Sequence, residues 1–223
     1  MSSRDNIMRK LRAARRPFDD QPPATTQHHM VPVADTSPEA LRMLFIQQAE
    51  SLGCEVTASA DPEAAIAHLL DLLGGDMAVL SWDPAHIPLP GLGEALADAA
   101  IRITQQGVDV RVGLTGVEAA LAGTGSLVLA TGEGKPRQPS IVPPVHVAVI
   151  TADQIVPNFD AWVDAQRAAG LEHFQAPSSI VLVGGPSRTG DIANIPVRGV
   201  HGPGTVHVIL LPSRFAPPCP LSP

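Results

Sequence analysis

The residues best able to do chemistry lie in glycine-rich segments beside apolar runs. The segment 184–192 (GGPSRTGDI) directly follows the apolar run 180–183, and its polar side chains are those of Ser187, Arg188, Thr189 and Asp191. A guanidinium together with backbone amides at a helix start suits a carboxylate or a phosphate. The segment lacks the Gly-Lys-Ser/Thr ending of a P-loop, so it does not predict a nucleoside triphosphate site. A helix cap formed by the oxygen-bearing side chains is the simpler interpretation.

The turn 201–204 (HGPG) adds an imidazole to the same region. It contains His201 and Gly202, and we expect it to expose the histidine. From residue 173 onward Asp191 is the only acid, against the basic residues Arg188, Arg198 and Arg214. This local excess of positive charge in an acidic protein favours an anionic ligand.

A second glycine-rich segment, 113–134, contains a candidate catalytic carboxylate. Thr115 and Glu118 have the spacing of a capping box, in which both side chains bond to amides at a helix start, so they predict a helix over 115–122. Alternatively, Glu118 lines a cleft and acts as a base or a nucleophile. The turn that follows either holds an anion or simply connects the helix to a strand, and it contains Thr124, Gly125 and Ser126.

His146 lies within the apolar run 141–150 (IVPPVHVAVI). A lone histidine in a strand is either a hydrogen-bonded core residue or a group that faces a site. A metal-dependent hydrolase that uses His146, His201 and Asp191 is a further hypothesis, but no HxH or HExxH spacing supports it. We therefore expect no metal site.

Apolar periodicity and capping signals predict alternating helices and strands. We predict helices at 4–15, 38–52, 62–73, 91–100, 115–122 and 157–169. We predict strands at 77–81, 101–104, 108–112, 126–130, 145–150, 180–183 and 206–211. Unbroken apolar strands are typical of a parallel sheet that is buried on both faces. The sequence therefore predicts an α/β fold, a three-layer α/β/α sandwich with a mostly parallel sheet, and a site outside the carboxyl ends of its strands.

Charge is distributed unevenly along the chain. The formal net charge is −7, but residues 1–16 hold six basic residues against one acid, a net of +5. The remainder holds nine basic and twenty-one acidic residues, a net of −12. An acidic body disfavours nucleic acid, whose phosphates need a basic field. The basic arm either contacts an acidic partner or is simply a solvated helix.

Cysteine content and hydropathy restrict the cofactors and the location. The cysteines, Cys54 and Cys219, lack the spacing that holds an iron–sulfur cluster or a structural zinc ion. No apolar run approaches the ~20 residues of a membrane helix, and we expect no signal peptide. We expect a cytoplasmic protein with a basic helix and Pro-rich linker at 1–36, a main domain at 37–212 and a flexible Pro-rich tail at 213–223.

Several segments together resemble the LUD domain family, most closely its lactate-utilisation protein C group. They are GLTGVEAALAGTGSLVL (113–129), PPVHVAVI (143–150), PSRTGDI (186–192) and GVHGPGTVHVILL (199–211). The resemblance implies a fold like that of the NagB/RpiA/CoA-transferase group. The chain departs from the family pattern at Ala193, where an acidic residue is expected, and at Gly204, where an arginine is expected.

The resemblance also implies a function. It implies an accessory subunit of a complex that oxidises L-lactate to pyruvate, with iron–sulfur clusters or FAD in partner subunits and no cofactor on this chain. The alternative is a stand-alone acyl- or CoA-transferring enzyme, in which Glu118 is the nucleophile and the loops 124–126 and 187–189 hold the anion. Glu118 and His201 are the candidate catalytic residues. Both hypotheses require the glycine-flanked turns to converge on one pocket at one edge of the sheet.

Overall fold

The computed structural model describes most of the chain. The described residues are 3–13, 31–107, 109–170, 174, 176–190 and 196–213. Their helices are α1 (Ser3–Ala13), α2 (Pro38–Ser51), α3 (Pro62–Leu73), α4 (Leu92–Asp98) and α5 (Phe159–Ala168). Their strands are β1 (Glu55–Ala58), β2 (Ala78–Ser81), β3 (Arg102–Thr104), β4 (Val112–Thr115), β5 (Ala119–Leu121), β6 (Ser126–Thr131), β7 (Val145–Thr151), β8 (Ile155–Val156), β9 (Ser179–Val183), β10 (Arg188–Gly190), β11 (Pro196–Arg198) and β12 (Thr205–Leu211). The predictions for Asp191, Ala193, Cys219 and most of the tail lie outside the described residues.

Local capping determines where the main helices begin and end. The Asp61 side chain accepts a hydrogen bond from the backbone N–H of Ala64 at 2.8 Å, and Gly74 ends α3 in the left-handed conformation. The Asn158 side chain caps α5 in the same way, so this helix begins two residues later than predicted. These signals act within a few residues of the chain, so the helices are predictable from the sequence.

The main sheet is entirely parallel. Its six strands lie in the order β1-β12-β7-β4-β2-β3, and each neighbouring pair runs parallel. The strands β12 and β7 pair over their full length, from Thr205 opposite Val145 to Leu211 opposite Thr151. Apolar side chains of these strands pack with those of α2 and α3 in the main core. The predicted α/β fold with a mostly parallel sheet is confirmed.

A second, smaller sheet is a feature that the sequence does not predict. Its strands lie in the order β8-β5-β6-β9, and β6 runs antiparallel to both of its neighbours. Trp162 of α5 packs with Leu121 and Val128 of this sheet. The strand β9 is at the edge, where the Leu182 side chain is 51% exposed. The prediction that 180–183 belongs to the buried parallel sheet is therefore wrong.

The helix predicted over 115–122 is also wrong. Thr115 is the last residue of β4, and β5 begins at Ala119. The three residues of β5 are buried, and the strand pairs with β6 on one side and β8 on the other. Burial and pairing on both sides therefore outweigh the short capping-box pattern, because a short apolar run fits a strand as well as a helix.

The segment after β9 forms a hairpin instead of a helix start. The strands β10 and β11 pair antiparallel, with Arg188 directly opposite Arg198. The backbone N–H of Ser187 donates to the carbonyl of Pro203 at 2.8 Å. The predicted helix cap at Ser187 is therefore wrong, because the backbone there bonds across to a later segment.

Candidate functional site

The strand order of the main sheet reverses between β2 and β4. From β2 the chain continues to β3 at one edge, whereas from β4 it continues to β7 and then β12 in the opposite direction. Ligands of open α/β sheets bind outside the carboxyl ends of the strands at such a reversal. We call this region the β2–β4 crevice, and its residues are Trp82 and Asp83 after β2, Gly116–Glu118 after β4, and the turn Gly132–Lys135.

An ion pair lies in the β2–β4 crevice. The Nζ atom of Lys135 donates to Oε1 of Glu118 at 2.6 Å, and the two side chains are 23% and 22% exposed. The ammonium also lies 5.8 Å from the ring centroid of Trp82, within the range of a cation–π interaction. A hydrogen bond also fixes the indole, because its Nε1–H donates to the carbonyl of Pro136 at 3.0 Å.

Backbone hydrogen bonds hold both members of the ion pair in place. Gly132 and Lys135 exchange N–H to carbonyl bonds of 3.1 and 3.0 Å, which closes a tight turn. Gly134 in this turn has a φ of 69°, a conformation that favours glycine, and its carbonyl accepts from the Asp83 N–H at 2.7 Å. On the opposite side the Glu118 N–H donates to the carbonyl of Val128 at 2.8 Å. The turn therefore carries Lys135 back to the strand end that carries Glu118.

A cavity lies beside the crevice, in the segment that leads from β2 to α4. It has a volume of about 320 Å³ and is lined mainly by apolar residues between Pro84 and Glu94. The turn that carries Lys135 packs on the start of the same segment, because a Cβ at Gly134 would contact the His86 ring. A partly exposed carboxylate and an ammonium thus lie at the carboxyl edge, and the turn that carries the ammonium contacts the segment that lines the cavity.

His146 and Thr115 meet inside the sheet. The Nε2 of His146 on β7 lies 2.9 Å from the Oγ1 of Thr115 on β4, and both side chains are fully buried. Desolvation lowers the pKa of His146 to about 4, so the ring is neutral at pH 7. These two predicted site residues are therefore brought together, but as a buried cross-strand bridge.

Other predicted site residues lie at the opposite edge of the sheet. Gly204 precedes β12, and its N–H donates to the carbonyl of Pro144, which precedes β7, at 2.8 Å. A Cβ at Gly202 would lie 3.5 Å from the Cβ of Ser187, and His201 is exposed in the same turn. These residues lie at the amino ends of parallel strands, whereas Glu118 follows a carboxyl end. The structure therefore does not bring Glu118 together with His201, and the expected convergence on one edge is wrong.

The last predicted site residues surround the end of α2. Arg188 donates to the carbonyl of Leu52 at 2.6 Å, which places a cation at the negative end of the helix dipole. A Cβ at Gly125 would overlap the backbone of Ala49, and a Cβ at Gly184 would lie 3.8 Å from Oγ of Ser126. In the described part of the chain, the buried Oγ1 of Thr124 has no hydrogen-bond partner, and the side chain of Thr189 is not described. Arg188 thus stabilises a helix end, which differs from the helix-start role predicted for it.

Comparison with known proteins assigns the family. The model of the LUD domain matches residues 42–211, about three quarters of the chain. The chain belongs to the LUD domain family. The helix α1 lies N-terminal to the matched region, and every side chain of its residues 3–10 is exposed.

Relatives of this LUD domain protein occur in several bacteria. It is 30% identical over 136 residues to lactate utilization protein C of Macrococcus caseolyticus, which covers 58% of this chain and 59% of that protein. It is 37% identical over 106 residues to the protein of that name from Geobacillus sp., an alignment that covers 46% of this chain and 43% of that protein. It is 28% identical over 172 residues to the uncharacterized protein YkgG of Escherichia coli, an alignment that covers 71% of this chain and 74% of that protein. The alignments with the first relatives span only about half of their length, 46% to 59%.

A solved structure shows the same fold. The crystal structure of a DUF162 family protein from Deinococcus radiodurans superposes with a TM-score of 0.59 at 22% sequence identity, covering 79% of this chain and 99% of that one. At this identity the likeness supports the fold of the LUD domain and nothing about its ligands.

Sequence reasoning selects Glu118 but misses its partners in the LUD domain. Lys135 lies in the segment 132–139, which reads as an exposed loop, and Trp82 lies one residue after the strand predicted over 77–81. Position in the sequence is the signal that could identify Trp82, because residues directly after the carboxyl ends of parallel strands are candidate site residues. Only the strand order shows that β2 and β4 are neighbours.

The described part of the LUD domain contains no cluster of side chains suited to bind a metal ion. Among the residues described, no three His, Cys, Asp or Glu side chains lie close enough to hold a metal ion. For the hydrolase hypothesis, His146 is buried against Thr115, His201 is exposed, and Asp191 lies outside the described residues. None of the helices described combines the length and apolar character needed to cross a membrane.

Proposed function

We propose that this LUD domain protein is an accessory subunit of a complex that oxidises L-lactate to pyruvate. The observation that carries the proposal is the name lactate utilization protein C on relatives such as those of Macrococcus caseolyticus and Geobacillus sp., at 30% and 37% identity. A role in lactate utilisation follows from these relatives, and the assignment to a complex follows from the chemistry.

Oxidation of lactate requires an electron acceptor. Two electrons and two protons leave the substrate, and amino-acid side chains do not accept a hydride without a cofactor. The chain contains two cysteines, whereas a [4Fe–4S] cluster takes four thiolates, and its sequence carries no GxGxxG fingerprint after a first strand. We therefore assign the iron–sulfur clusters, or FAD, to partner subunits.

The basic N-terminal helix supports an assembly role. The side chains of Ile7 and Met8 on α1 are 56% and 40% exposed, between the basic residues Arg4, Arg9 and Lys10. An isolated helix of 11 residues is marginal in water, so contact with a partner would stabilise α1. A basic helix with exposed apolar side chains suits an acidic groove on another subunit.

The proposal is tested by growth and by co-purification. Deletion of the gene is expected to slow growth on L-lactate as sole carbon source and to leave growth on pyruvate unchanged, and the intact gene is expected to restore it. A tagged chain from lactate-grown cells is expected to co-purify with cysteine-rich subunits that oxidise lactate. Unchanged growth on lactate together with a chain that purifies alone would contradict the proposal.

One observation favours the alternative of an acyl- or CoA-transferring enzyme. Glu118 is a partly exposed carboxylate at the carboxyl edge of the main sheet, where such a nucleophile would be expected. Its bond to Lys135 opposes this role, because an ion-paired carboxylate is a weaker nucleophile. Transfer of CoA from an acyl-CoA to a free carboxylate by the wild type, with release of the donor acid, lost in a Glu118→Gln protein that stays folded at the assay temperature, would support the alternative.

A further inference from the structure

We propose that the basic helix α1 of one copy of this chain docks in the apolar cavity beside α4 of a second copy. The exchange is reciprocal, so two copies close into a symmetric dimer in which both helices and both cavities are in use. The inference names the subunit that α1 contacts, and it does not depend on a role in lactate oxidation.

The chain separates its charges into two complementary segments. Residues 1–16 hold six basic residues against one acid, whereas residues 43–101 hold nine acids and no lysine or arginine. The second segment contains α3, α4 and the residues that line the cavity. Opposite charges on two surfaces steer their association and fix their relative orientation. A helix from the first segment therefore has its electrostatic complement on a second copy of the same chain.

The cavity combines an apolar lining with acidic residues. Its lining includes the buried side chains of Ile87 and Leu89 and the exposed residue Glu94. Asp98 lies one turn after Glu94 on α4 and is also exposed. Among the described residues, neither of these two carboxylates forms an ion pair. The cavity therefore offers apolar contacts together with two carboxylates that can pair with a cationic partner.

The helix α1 presents the matching groups. Arg4, Ile7 and Lys10 recur at a spacing of three residues, so they lie along one face of the helix, with Met8 beside them. The side chains of Ile7 and Met8 are 56% and 40% exposed. Two cations thus accompany an apolar pair on α1, as two carboxylates accompany the apolar lining of the cavity. An amphipathic helix of this kind docks with its apolar side chains in a groove.

The partner of α1 is a second molecule. Every side chain of residues 3–10 is exposed, so this part of the helix does not pack on its own domain. The cavity, of about 320 Å³, has room for the side chains of Ile7 and Met8. Reciprocal docking buries two such pairs at once, and the first contact raises the effective concentration for the second. The dimer is therefore tighter than a single docked helix would be.

Analytical ultracentrifugation of the purified full-length chain tests the dimer. The wild type is expected to sediment with twice the 23.3 kDa mass of one chain at micromolar concentration and low salt. Added salt is expected to weaken the dimer, because its ion pairs lie at the surface. Ile7→Ser combined with Met8→Ser is expected to weaken it by about tenfold or more, because apolar burial is lost. A wild type that stays monomeric at every concentration, or an unchanged affinity in the serine variant, would overturn the proposal.

Two charge-reversed variants test which surfaces meet. The helix variant carries Arg4→Glu and Lys10→Glu, and the cavity variant carries Glu94→Lys and Asp98→Lys. Each variant alone is expected to be monomeric, because like charges then face each other in both contacts. An equimolar mixture is expected to form a heterodimer, because each contact then joins a basic surface to an acidic one. Circular dichroism verifies beforehand that both variants are folded.

Asp109→Lys combined with Glu50→Lys is the matched control. Both residues are exposed acids outside α1, α4 and the cavity, and the change in net charge equals that of the cavity variant. This control is expected to dimerise as the wild type does. Dimerisation of either charge-reversed variant alone, a mixture of the two that stays monomeric, or loss of the dimer in the control would overturn the proposal. The serine variant decides the matter if a charge-reversed variant does not fold.

Failure of the dimer can be told apart from failure of the proposed function, because the sedimentation experiments use the purified chain alone. A monomeric chain that co-purifies with lactate-oxidising subunits and supports growth on lactate would overturn the dimer and uphold the accessory role. A dimer with the expected response to charge reversal, formed by a chain that neither co-purifies with such subunits nor affects growth on lactate, would do the reverse.

Discussion

The imidazole of His146 and the hydroxyl of Thr115 form a buried bridge between neighbouring strands. The Nε2 and Oγ1 atoms lie 2.9 Å apart where β7 pairs with β4, and neither side chain is exposed. The Nδ1 atom has no partner among the residues described. Complete burial lowers the pKa of the ring from 6.5 to about 4. Protonation of this ring would place an uncompensated charge in the core, so the bridge depends on a neutral histidine.

The first prediction is that this histidine makes the fold sensitive to acid. The unfolded chain protonates His146 near pH 6.5, whereas the folded chain protonates it only near pH 4. The free energy of unfolding should therefore fall as the pH drops from 6.5 to 4, and His146 alone should contribute about 3 kcal/mol to this loss. Urea unfolding at several pH values across that window measures it.

Two asparagine variants isolate the contribution of His146. His146→Asn is expected to be less stable at pH 7 but to lose about 3 kcal/mol less between pH 6.5 and 4. His86→Asn removes an exposed histidine and is expected to keep the wild-type dependence. Identical slopes for the wild type and His146→Asn would show that this ring does not control acid stability.

The helices were predictable because their signals are local. The Asp61 cap, Pro62 and Gly74 bracket α3 within a single run of sequence, and the structure uses each of them. The Thr115–Glu118 pattern is equally local, yet it lies at the end of a buried strand. There, pairing of β5 with β6 and β8 determines the conformation. A local signal is thus reliable only where no stronger long-range pairing competes with it.

The candidate site was only partly predictable for a related reason. Glu118 could be selected as a carboxylate among glycines, but the ion pair joins it to a lysine 17 residues away. The crevice depends on β2 lying beside β4, and the main sheet also pairs β1 with β12 from opposite ends of the domain. The local sequence of a strand does not show which distant strand it pairs with. For the same reason the polar segments near Arg188 and Glu118 gave no indication that they lie at opposite edges.

The second prediction concerns the close approach at Gly113. A Cβ there would overlap the backbone carbonyl of Pro139, which lies over β4. Gly113→Ala should therefore lower the free energy of unfolding by about 3 kcal/mol, as is typical when a packed core must shift. Gly93→Ala in α4 is the control, because a Cβ there would lie 3.9 Å from the Pro84 side chain, an ordinary contact. This change should stabilise the helix by about 0.5–1 kcal/mol. Equal effects of the two changes in urea unfolding would refute the close approach.

The third prediction separates two arginines that face each other across the hairpin. Arg188 bonds to the carbonyl of Leu52 at the end of α2, whereas Arg198 lies directly opposite it with no ion pair among the described residues. Arg188→Met should lower the free energy of unfolding by about 1 kcal/mol, because a cation leaves a helix C-terminus. Arg198→Met should be neutral or slightly stabilising, because it removes a like charge across the strands. A larger loss in Arg198→Met than in Arg188→Met would contradict both assignments.

The fourth prediction is that Glu118 and Lys135 are energetically coupled. Their contact of 2.6 Å is mostly shielded from water and is held by backbone hydrogen bonds at both ends. A double-mutant cycle with Glu118→Gln and Lys135→Met should give a coupling energy of about 1 kcal/mol, at the upper end for a partly exposed pair. Urea unfolding of the wild type, both single variants and the double variant supplies the four free energies.

The exposed pair Glu39–Arg42 on α2 is the matched control for this cycle. The Nη2 atom of Arg42 and the Oε1 atom of Glu39 are 2.9 Å apart, and the Glu39 side chain is 71% exposed. Glu39→Gln and Arg42→Met should therefore give a coupling energy of only about 0.3 kcal/mol, and moderate salt should remove it. The crevice pair should keep most of its coupling in the same salt, because less water and fewer ions reach it. Equal coupling and equal salt sensitivity of the two pairs would mean that the crevice does not hold a fixed ion pair.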